Sequence, residues 1–195
     1  MTERKSLFAL VFIFAYIFLA SAFLFKKNPI QTESCISAEE YKLYNLINEY
    51  RKKNKLPAIP LSKSLSYVAR EHVTDLQLNH PDKGRCNMHS WSAKGKWTGC
   101  CYTDDHKKAS CMWNKPSELT SYKSNGYEIA CSGVSTAEKA LEGWKGSLGH
   151  NGVILNKAPW KNMTWNAMGV GMNGEYAVVW FGAISDPEGK PEICK

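Results

Sequence analysis

Three polar residues, His89, Glu128 and His150, have side chains that could carry chemistry, and they lie outside the apolar periodic patterns of the chain. Two neutral imidazoles can bind a divalent transition metal such as zinc. A carboxylate beside them can be a further ligand, orient an imidazole or act as a general base. All three residues are expected in or next to loops, where functional side chains concentrate. The residue types therefore allow a metal-binding or hydrolytic site, provided that the fold brings them together.

Each of these residues also has a structural interpretation. His89 could be a surface histidine that is hydrogen-bonded within a loop. Glu128 could accept hydrogen bonds from loop amides. His150 could cap the preceding helix, because a cation is favoured near a helix C-terminus. Spacing along the chain does not decide between the structural and the functional interpretation.

The elements that must position these residues begin with two helices. Residues 37–40, Ser-Ala-Glu-Glu, form a capping-box pattern that predicts a helix start. Apolar residues follow at helical spacing, namely Leu43, Leu46, Ile47 and Tyr50. A second helix is predicted with one buried face, formed by Leu65, Val68, Ala69, His72, Val73 and Leu76. Because His72 shares that face, we predict that it is a core histidine whose hydrogen bonds are satisfied, whereas His80 and His106 are predicted to be solvated.

In the second half of the chain, the spacing of apolar residues changes from one typical of helices to one typical of strands. A capping-box pattern at residues 135–138 predicts a third helix that ends near Gly146 or Gly149. Two extended runs, 165–172 and 175–181, are joined by Asn-Gly, which is a strong signal for a β-hairpin. Helices followed by a closing hairpin predict an α+β fold.

Seven cysteines indicate a disulfide framework and hence an oxidising compartment. They are Cys35, Cys86, Cys100, Cys101, Cys111, Cys131 and Cys194. Neighbouring cysteines rarely bond each other, so Cys100 and Cys101 are expected to pair with two different partners. Because the number is odd, at least one thiol is expected to be free or to pair between chains. Four of the seven fall within residues 79–125, which we interpret as a long irregular segment held by disulfides.

The N-terminus predicts export. Residues 7–25 carry no charge and are long enough to span a bilayer as a helix. Lys26 and Lys27 follow this run, which favours an uncleaved anchor, whereas Ala20-Ser21-Ala22 is a triplet that a signal peptidase accepts. The protein is therefore expected outside the cytoplasm, either anchored to the membrane by residues 7–25 or secreted after cleavage. The net charge is +7 without a dense basic stripe, so nucleic-acid binding is not expected.

Several motifs, in order along the chain, resemble the CAP superfamily of cysteine-rich secretory, antigen 5 and pathogenesis-related proteins. Asn48 and Arg51 resemble the N-x-x-R motif of that family. Residues 126–130, Gly-Tyr-Glu-Ile-Ala, are similar to its G-x-N-I-A-like segment, in which an acidic residue lies on the cavity wall. Residues 144–155 resemble the bacterial W-x-x-S-x-x-H-x-x-I-L signature. The resemblance covers a CAP domain (37–187), which follows the signal or anchor segment (1–27) and a polar linker (28–36) and precedes a tail (188–195).

The resemblance implies an α-β-α sandwich with a central cleft lined by two histidines and two glutamates. His89 and His150 match the histidine pair, which can bind zinc or another divalent cation. Glu128 matches the first glutamate, whereas the position of the second is occupied by Ser147. An incomplete acidic pair argues against hydrolysis that needs two carboxylates.

These observations favour a non-catalytic binding module whose cleft, lined by His89, Glu128, Ser147 and His150, holds a divalent cation or a small ligand. Its disulfide-bonded segment would contact a lipid, a glycan or a protein partner. The alternative is a zinc-dependent peptidase or esterase in which His89 and His150 are ligands and Glu128 is the general base. A third interpretation is a stable spacer at the cell surface without a functional cleft.

Overall fold

The computed structural model of the protein describes residues 35–195. The hydrophobic segment predicted at residues 7–25 and the predicted linker up to residue 34 lie outside the described residues. Within residues 35–195, no helix is both long and apolar enough to cross a membrane. The elements in chain order are β1 (Cys35–Ile36), α1 (Ala38–Lys53), α2 (Lys63–Asn79), α3 (Ala109–Trp113), α4 (Lys115–Leu119), β2 (Gly126–Cys131), α5 (Ala137–Gly146), α6 (Leu148–Ile154), a 3-10 turn (Trp160–Asn162), β3 (Ala167–Asn173), β4 (Tyr176–Gly182) and β5 (Glu192–Ile193).

An antiparallel sheet in the order β2-β4-β3 separates two hydrophobic cores. Alternate residues of a strand point to opposite faces, and the central strand β4 shows this directly. Its residues Val179 and Phe181 belong to the core shared with α1 and α5, whereas Val178 and Trp180 belong to the core shared with α2. The predicted α+β fold with an α-β-α arrangement is thereby confirmed.

Helix α2 lies unusually close to strand β3 because two glycines of the strand face it. A Cβ atom on Gly169 would collide with the backbone at Leu65, and one on Gly171 would collide with the backbone at Ala69. The predicted buried face of α2 is also confirmed, since its six residues are all almost completely inaccessible to solvent. This contact holds α2, and with it His72, firmly against the sheet.

Both predicted helix caps exist, but the second is displaced by one residue. Ser37 caps α1 as a complete capping box. The cap of α5 is Thr136 and not Ser135, because the Thr136 side chain accepts a hydrogen bond from the amide of Lys139. The carboxylate of Glu39 in α1 binds the amide of Ala137 at 2.7 Å and thereby contributes to the position at which α5 begins.

The predicted hairpin is also confirmed with a shift of one residue. Asn173 pairs with Tyr176, so the two loop residues are Gly174 and Glu175 and not Asn173 and Gly174. Gly174 has a φ of +59°, and Glu175 is not among the residues with positive φ. Glycine at the first of two loop positions is the pattern of a type II′ turn, whereas the type I′ turn that Asn-Gly suggests needs positive φ at both.

Residues 80–125 are mostly irregular, as the sequence predicts, although they include the short helices α3 and α4. Two disulfides, Cys86–Cys101 and Cys100–Cys111, hold this segment. The adjacent cysteines therefore pair with different partners, as expected. Trp91 and Cys100 exchange two backbone hydrogen bonds of 2.9 Å, which join the two parts of the segment next to the second disulfide.

The two ends of the described chain meet. Cys35 and Ile36, which fall within the predicted linker, form β1 and pair in parallel with β5 in the predicted tail. A third disulfide joins Cys35 to Cys194 across a separation of 159 residues. Cys131 is the remaining cysteine and is free, as the odd number required.

Candidate functional site

Glu128 lies at the centre of the candidate site because of the alternation along β2. Its neighbours Tyr127 and Ile129 pack with the core on the α1 and α5 side of the sheet. Glu128 therefore points to the opposite side, toward α2, and pairs in register with Trp180 of β4. Its side chain has no exposed surface. A buried carboxylate needs partners that donate hydrogen bonds.

Both oxygens of Glu128 have such a partner. Oε1 contacts Nδ1 of His72, and Oε2 lies 2.7 Å from Nδ1 of His89. Burial alone would raise the pKa of Glu128, but electrostatic attraction to His72 and the hydrogen bonds from His72 and His89 outweigh it. The pKa of this carboxyl therefore lies below its usual range, and Glu128 is ionised at neutral pH.

His72, Glu128 and His89 form a hydrogen-bonded cluster. His72 is the one member of this cluster that the sequence did not assign to the site. It is completely buried and hydrogen-bonded, which confirms the prediction of a satisfied core histidine. Its Nε2 lies 2.9 Å from the carbonyl oxygen of Ser90, and its ring stacks on Trp91 with centroids 4.2 Å apart and an 8° angle between planes. The sequence signal was present, since a histidine on an otherwise apolar helical face needs a polar partner for each ring nitrogen.

His89 belongs to the irregular segment, and its ring contacts the carboxylate oxygen of Glu128 that His72 does not. Its backbone amide donates to Oδ1 of Asn87 at 3.1 Å, and its ring meets Tyr102 edge-on with centroids 5.2 Å apart. The side chain is 18 % exposed. Because the ionised Glu128 accepts the hydrogen bond at Nδ1, the neutral form of His89 has its lone pair on Nε2. Among residues 35–195, no atom forms a hydrogen bond with that nitrogen.

His150 lies on helix α6 rather than in a loop. Ser147 is the N-cap of this helix, and its hydroxyl accepts from the amide of His150 at 3.5 Å. The imidazole is half-buried, and burial lowers its pKa below the ordinary histidine value. The nearby His89 lowers this pKa further, while Glu128 acts in the opposite direction. His89 and Glu128 thus both influence the pKa of His150, although no hydrogen bond joins His150 to them.

The expectation that all three residues lie in or next to loops needs correction. Only His89 is in an irregular segment, whereas Glu128 is inside strand β2 and His150 is inside helix α6. Ser147 separates α5 from α6 and caps the second of them, so His150 does not cap the C-terminus of α5. Regular elements thus hold two of the three side chains, which is a more rigid arrangement than loops would provide.

The donor set fits a divalent cation only in part. Within the described part of the chain, no group of three or more histidine, cysteine, aspartate or glutamate side chains is placed to hold a metal ion. His89 and His150 offer two imidazoles, and Glu128 orients the first through its Nδ1 atom. A carboxylate behind a ligating histidine is the usual support for a metal ligand. Two protein ligands imply weaker binding than the three or four of typical zinc sites.

The motif residues Asn48 and Arg51 are structural. The side chain of Asn48 makes two hydrogen bonds with the backbone of Ile59, of 3.1 and 2.8 Å. The Arg51 guanidinium is buried and donates to the carbonyls of Pro57 and Ile154. These contacts join α1 to the loop that follows it and to the end of α6.

The free thiol of Cys131 lies outside the cluster. It stands at the end of β2, is half-buried, and packs beside the core on the α1 side. Burial raises the pKa of this thiol to about 12. The thiolate is the reactive form, so Cys131 is not suited to be a nucleophile.

Comparison with known proteins gives a consistent result. The model of the cysteine-rich secretory protein family matches residues 44–177. An outer surface protein from Borrelia burgdorferi has a similar structure, with a TM-score of 0.50 and 20 % identity over 80 % of this chain and 95 % of that one. No curated protein sequence matches the chain.

Two further solved structures share the fold. One is an extracellular protein containing an SCP domain from Bacillus anthracis str. Ames, with a TM-score of 0.51, 19 % identity and coverage of 73 % of this chain. The other is a cysteine-rich secretory protein from Staphylococcus aureus subsp. aureus Mu50, with a TM-score of 0.50, 15 % identity and coverage of 80 % of this chain. The matches span only 39 % and 40 % of those two chains.

Proposed function

Because the chain belongs to the CAP family of cysteine-rich secretory proteins, we propose that it is an extracytoplasmic binding module whose cleft takes up a divalent cation. His89 and His150 provide the imidazole ligands, and water or an anionic group of a further ligand completes the coordination. Three disulfides support a location in an oxidising compartment. The segment at residues 7–25 either anchors the module to the membrane or is cleaved, so that the module is secreted.

The observation that carries this proposal is the hydrogen bond between Glu128 and Nδ1 of His89. It leaves Nε2 of His89 with its lone pair and without a partner among the described residues. The low pKa of His150 keeps the second imidazole neutral near pH 7. A neutral imidazole is the form that binds a metal, so His150 can bind without the loss of a proton.

Calorimetric titration of the purified residues 35–195 with zinc tests the proposal. We expect wild-type protein to bind about one zinc ion, and the double variant His89→Ala, His150→Ala to lose that binding. His80→Asn is the control, since it removes an imidazole elsewhere and asparagine tolerates the left-handed backbone at this position, where φ is 48°. Equal affinity in the wild type and the double variant would remove the site.

The geometry does not favour the alternative of a zinc-dependent hydrolase that uses Glu128 as the general base. A general base must reach the water that it activates. Glu128 is fully buried, and both of its oxygens are already bonded to imidazoles. Its contacts are those of a residue that orients His89.

Assays with peptide and ester substrates separate the two functions. A non-catalytic module gives no turnover with or without a chelator. Turnover that a chelator abolishes, and that Glu128→Gln also abolishes while zinc binding persists, would favour the hydrolase.

The partner of the module is a further part of the proposal. The disulfide-bonded segment between α2 and β2 forms one wall of the candidate site, because it supplies His89. A lipid, glycan or protein that binds this segment would therefore contact the cation site at the same time. Binding of such a partner is expected to depend on zinc if the two sites are one.

A further inference from the structure

We propose that His72 is a positioning residue that selects the tautomer of His89 through Glu128. The inference rests on the proposed function, because the selected tautomer is the one that presents Nε2 of His89 to a cation. It extends the site from the cleft surface to a completely buried side chain on α2.

Both ring nitrogens of His72 have an oxygen atom as partner. Nε2 faces the carbonyl oxygen of Ser90 at 2.9 Å, and a carbonyl oxygen only accepts hydrogen bonds. Nε2 therefore carries a proton and donates it. Nδ1 meets Oε1 of Glu128. With both ring nitrogens bonded to oxygen atoms in fixed positions, the ring has one orientation.

The fixed ring of His72 in turn fixes the carboxylate of Glu128. A carboxylate is planar, so a fixed Oε1 leaves little freedom for Oε2. That second oxygen lies 2.7 Å from Nδ1 of His89 and accepts its proton. The tautomer of His89 is set by the hydrogen bond that its other nitrogen makes. A neutral imidazole that lacked this bond would exchange between its two tautomers.

The arrangement is rigid because His89, Ser90 and Trp91 are consecutive in the chain and each contacts His72 or Glu128. His89 bonds Glu128, the Ser90 carbonyl bonds His72, and Trp91 stacks on the His72 ring. The buried ammonium of Lys115 lies 5.4 Å from the centroid of the Trp91 ring, within range of a cation–π interaction. Three successive residues of the irregular segment thus enclose the pair formed by His72 and Glu128.

Two substitutions separate the two hydrogen bonds of His72. The amide nitrogen of asparagine is as many bonds from Cβ as Nδ1 of histidine, so His72→Asn can keep the donor to Glu128. The amide nitrogen of glutamine corresponds to Nε2, so His72→Gln can keep the donor to Ser90 but loses the one to Glu128. The two variants are matched in chemistry and in the loss of the ring.

The test reads the ring nitrogens of His89 by ¹⁵N NMR in metal-free protein, together with zinc affinity by calorimetry. In wild-type protein and in His72→Asn, we expect a single His89 tautomer with the proton on Nδ1. In His72→Gln, we expect a mixture of tautomers and about tenfold weaker zinc binding. Near-UV circular dichroism confirms that the variants are folded.

Two results would overturn the inference. One is a wild-type His89 whose proton is on Nε2, a measurement that does not depend on the folding of any variant. The other is a folded His72→Gln variant with the wild-type tautomer of His89. If wild-type protein shows the expected tautomer and the expected response to His72→Gln but binds no zinc, the proposed function fails and the positioning role stands.

Discussion

At the scale of single residues, the cluster is built around one buried negative charge. Removing either imidazole from Glu128 would leave a carboxylate oxygen without a donor in a dry environment, which costs several kcal/mol. His72 and His89 therefore stabilise the fold as well as forming part of the candidate site. His150 differs, since it forms no hydrogen bond with the cluster. Burial is the main cause of its lowered pKa.

The low pKa of His150 predicts a contribution to the pH dependence of stability. The unfolded chain binds a proton at this residue near pH 6.5, whereas the native protein binds it only at lower pH. The unfolded state therefore binds more protons in that window, and the free energy of unfolding falls as the pH drops below about 6.5. We expect His150→Asn to reduce this slope by at most about 1.4 kcal/mol per pH unit, the limit for one proton.

Urea denaturation of metal-free protein between pH 7.5 and 5.0 measures the effect. His80→Asn is the control, because it removes a histidine outside the cluster. A slope in His150→Asn identical to that of the wild type would show that His150 is not protected from protons in the native state.

The sequence identified the chemistry at this scale but not its geometry. Residue types and family motifs singled out His89, Glu128 and His150, and helical spacing placed His72 in the core. Spacing could not show that His72 and Glu128 meet, because they are 56 positions apart and on different elements. Contacts of that kind depend on how α2 packs against the sheet, which no local pattern encodes.

At the scale of elements, strand β2 decides where the carboxylate points. Residues 126–131 are buried on both faces, so they lack the alternation of polar and apolar residues that reveals a half-buried strand. The sequence therefore indicated a motif there and no strand. The one-residue shifts of the α5 cap and of the hairpin loop have a similar origin, because neighbouring residues such as Ser135 and Thr136 are both good caps.

The close packing of α2 on β3 predicts a strong effect of a single methyl group. Gly171→Ala places a Cβ against the backbone at Ala69, which cannot move as a side chain would. We expect the free energy of unfolding to decrease by about 1–3 kcal/mol. Chemical denaturation at pH 7 provides the measurement.

Gly143→Ala is the matched control for that substitution. Gly143 lies inside α5, and a Cβ atom there meets nothing within 4 Å. Alanine is favoured over glycine in a helix, so we expect a gain of about 0.5–1 kcal/mol. Equal effects of the two substitutions would contradict the packing argument.

At the scale of the whole molecule, the three disulfides fall into two groups with different tasks, and Cys86–Cys101 and Cys100–Cys111 of the irregular segment form the first group. Cys100–Cys111 lies next to the residues that enclose His72 and Glu128, since Cys100 pairs with the backbone of Trp91. Cys35–Cys194 joins the two ends of the domain. One therefore supports the site, and the other supports the fold.

Two double variants test this division. The double variant Cys100→Ala, Cys111→Ala should weaken zinc binding and broaden the NMR signals of His89, because residues 89–91 lose the covalent cross-link beside them. Cys35→Ala, Cys194→Ala should leave zinc affinity unchanged but lower the free energy of unfolding by about 2–5 kcal/mol, because it opens a very long loop. Loss of zinc affinity in the second variant, with the fold intact, would show that the two groups are not independent.

The bond between Cys35 and Cys194 makes the polypeptide between them a covalent ring. A protease that cuts one peptide bond anywhere inside this ring opens it without producing two separate fragments. Whatever precedes Cys35 then stays attached to both pieces, and only a reductant separates them. At a cell surface exposed to proteolysis, a nicked copy would still be retained wherever the intact copy is held.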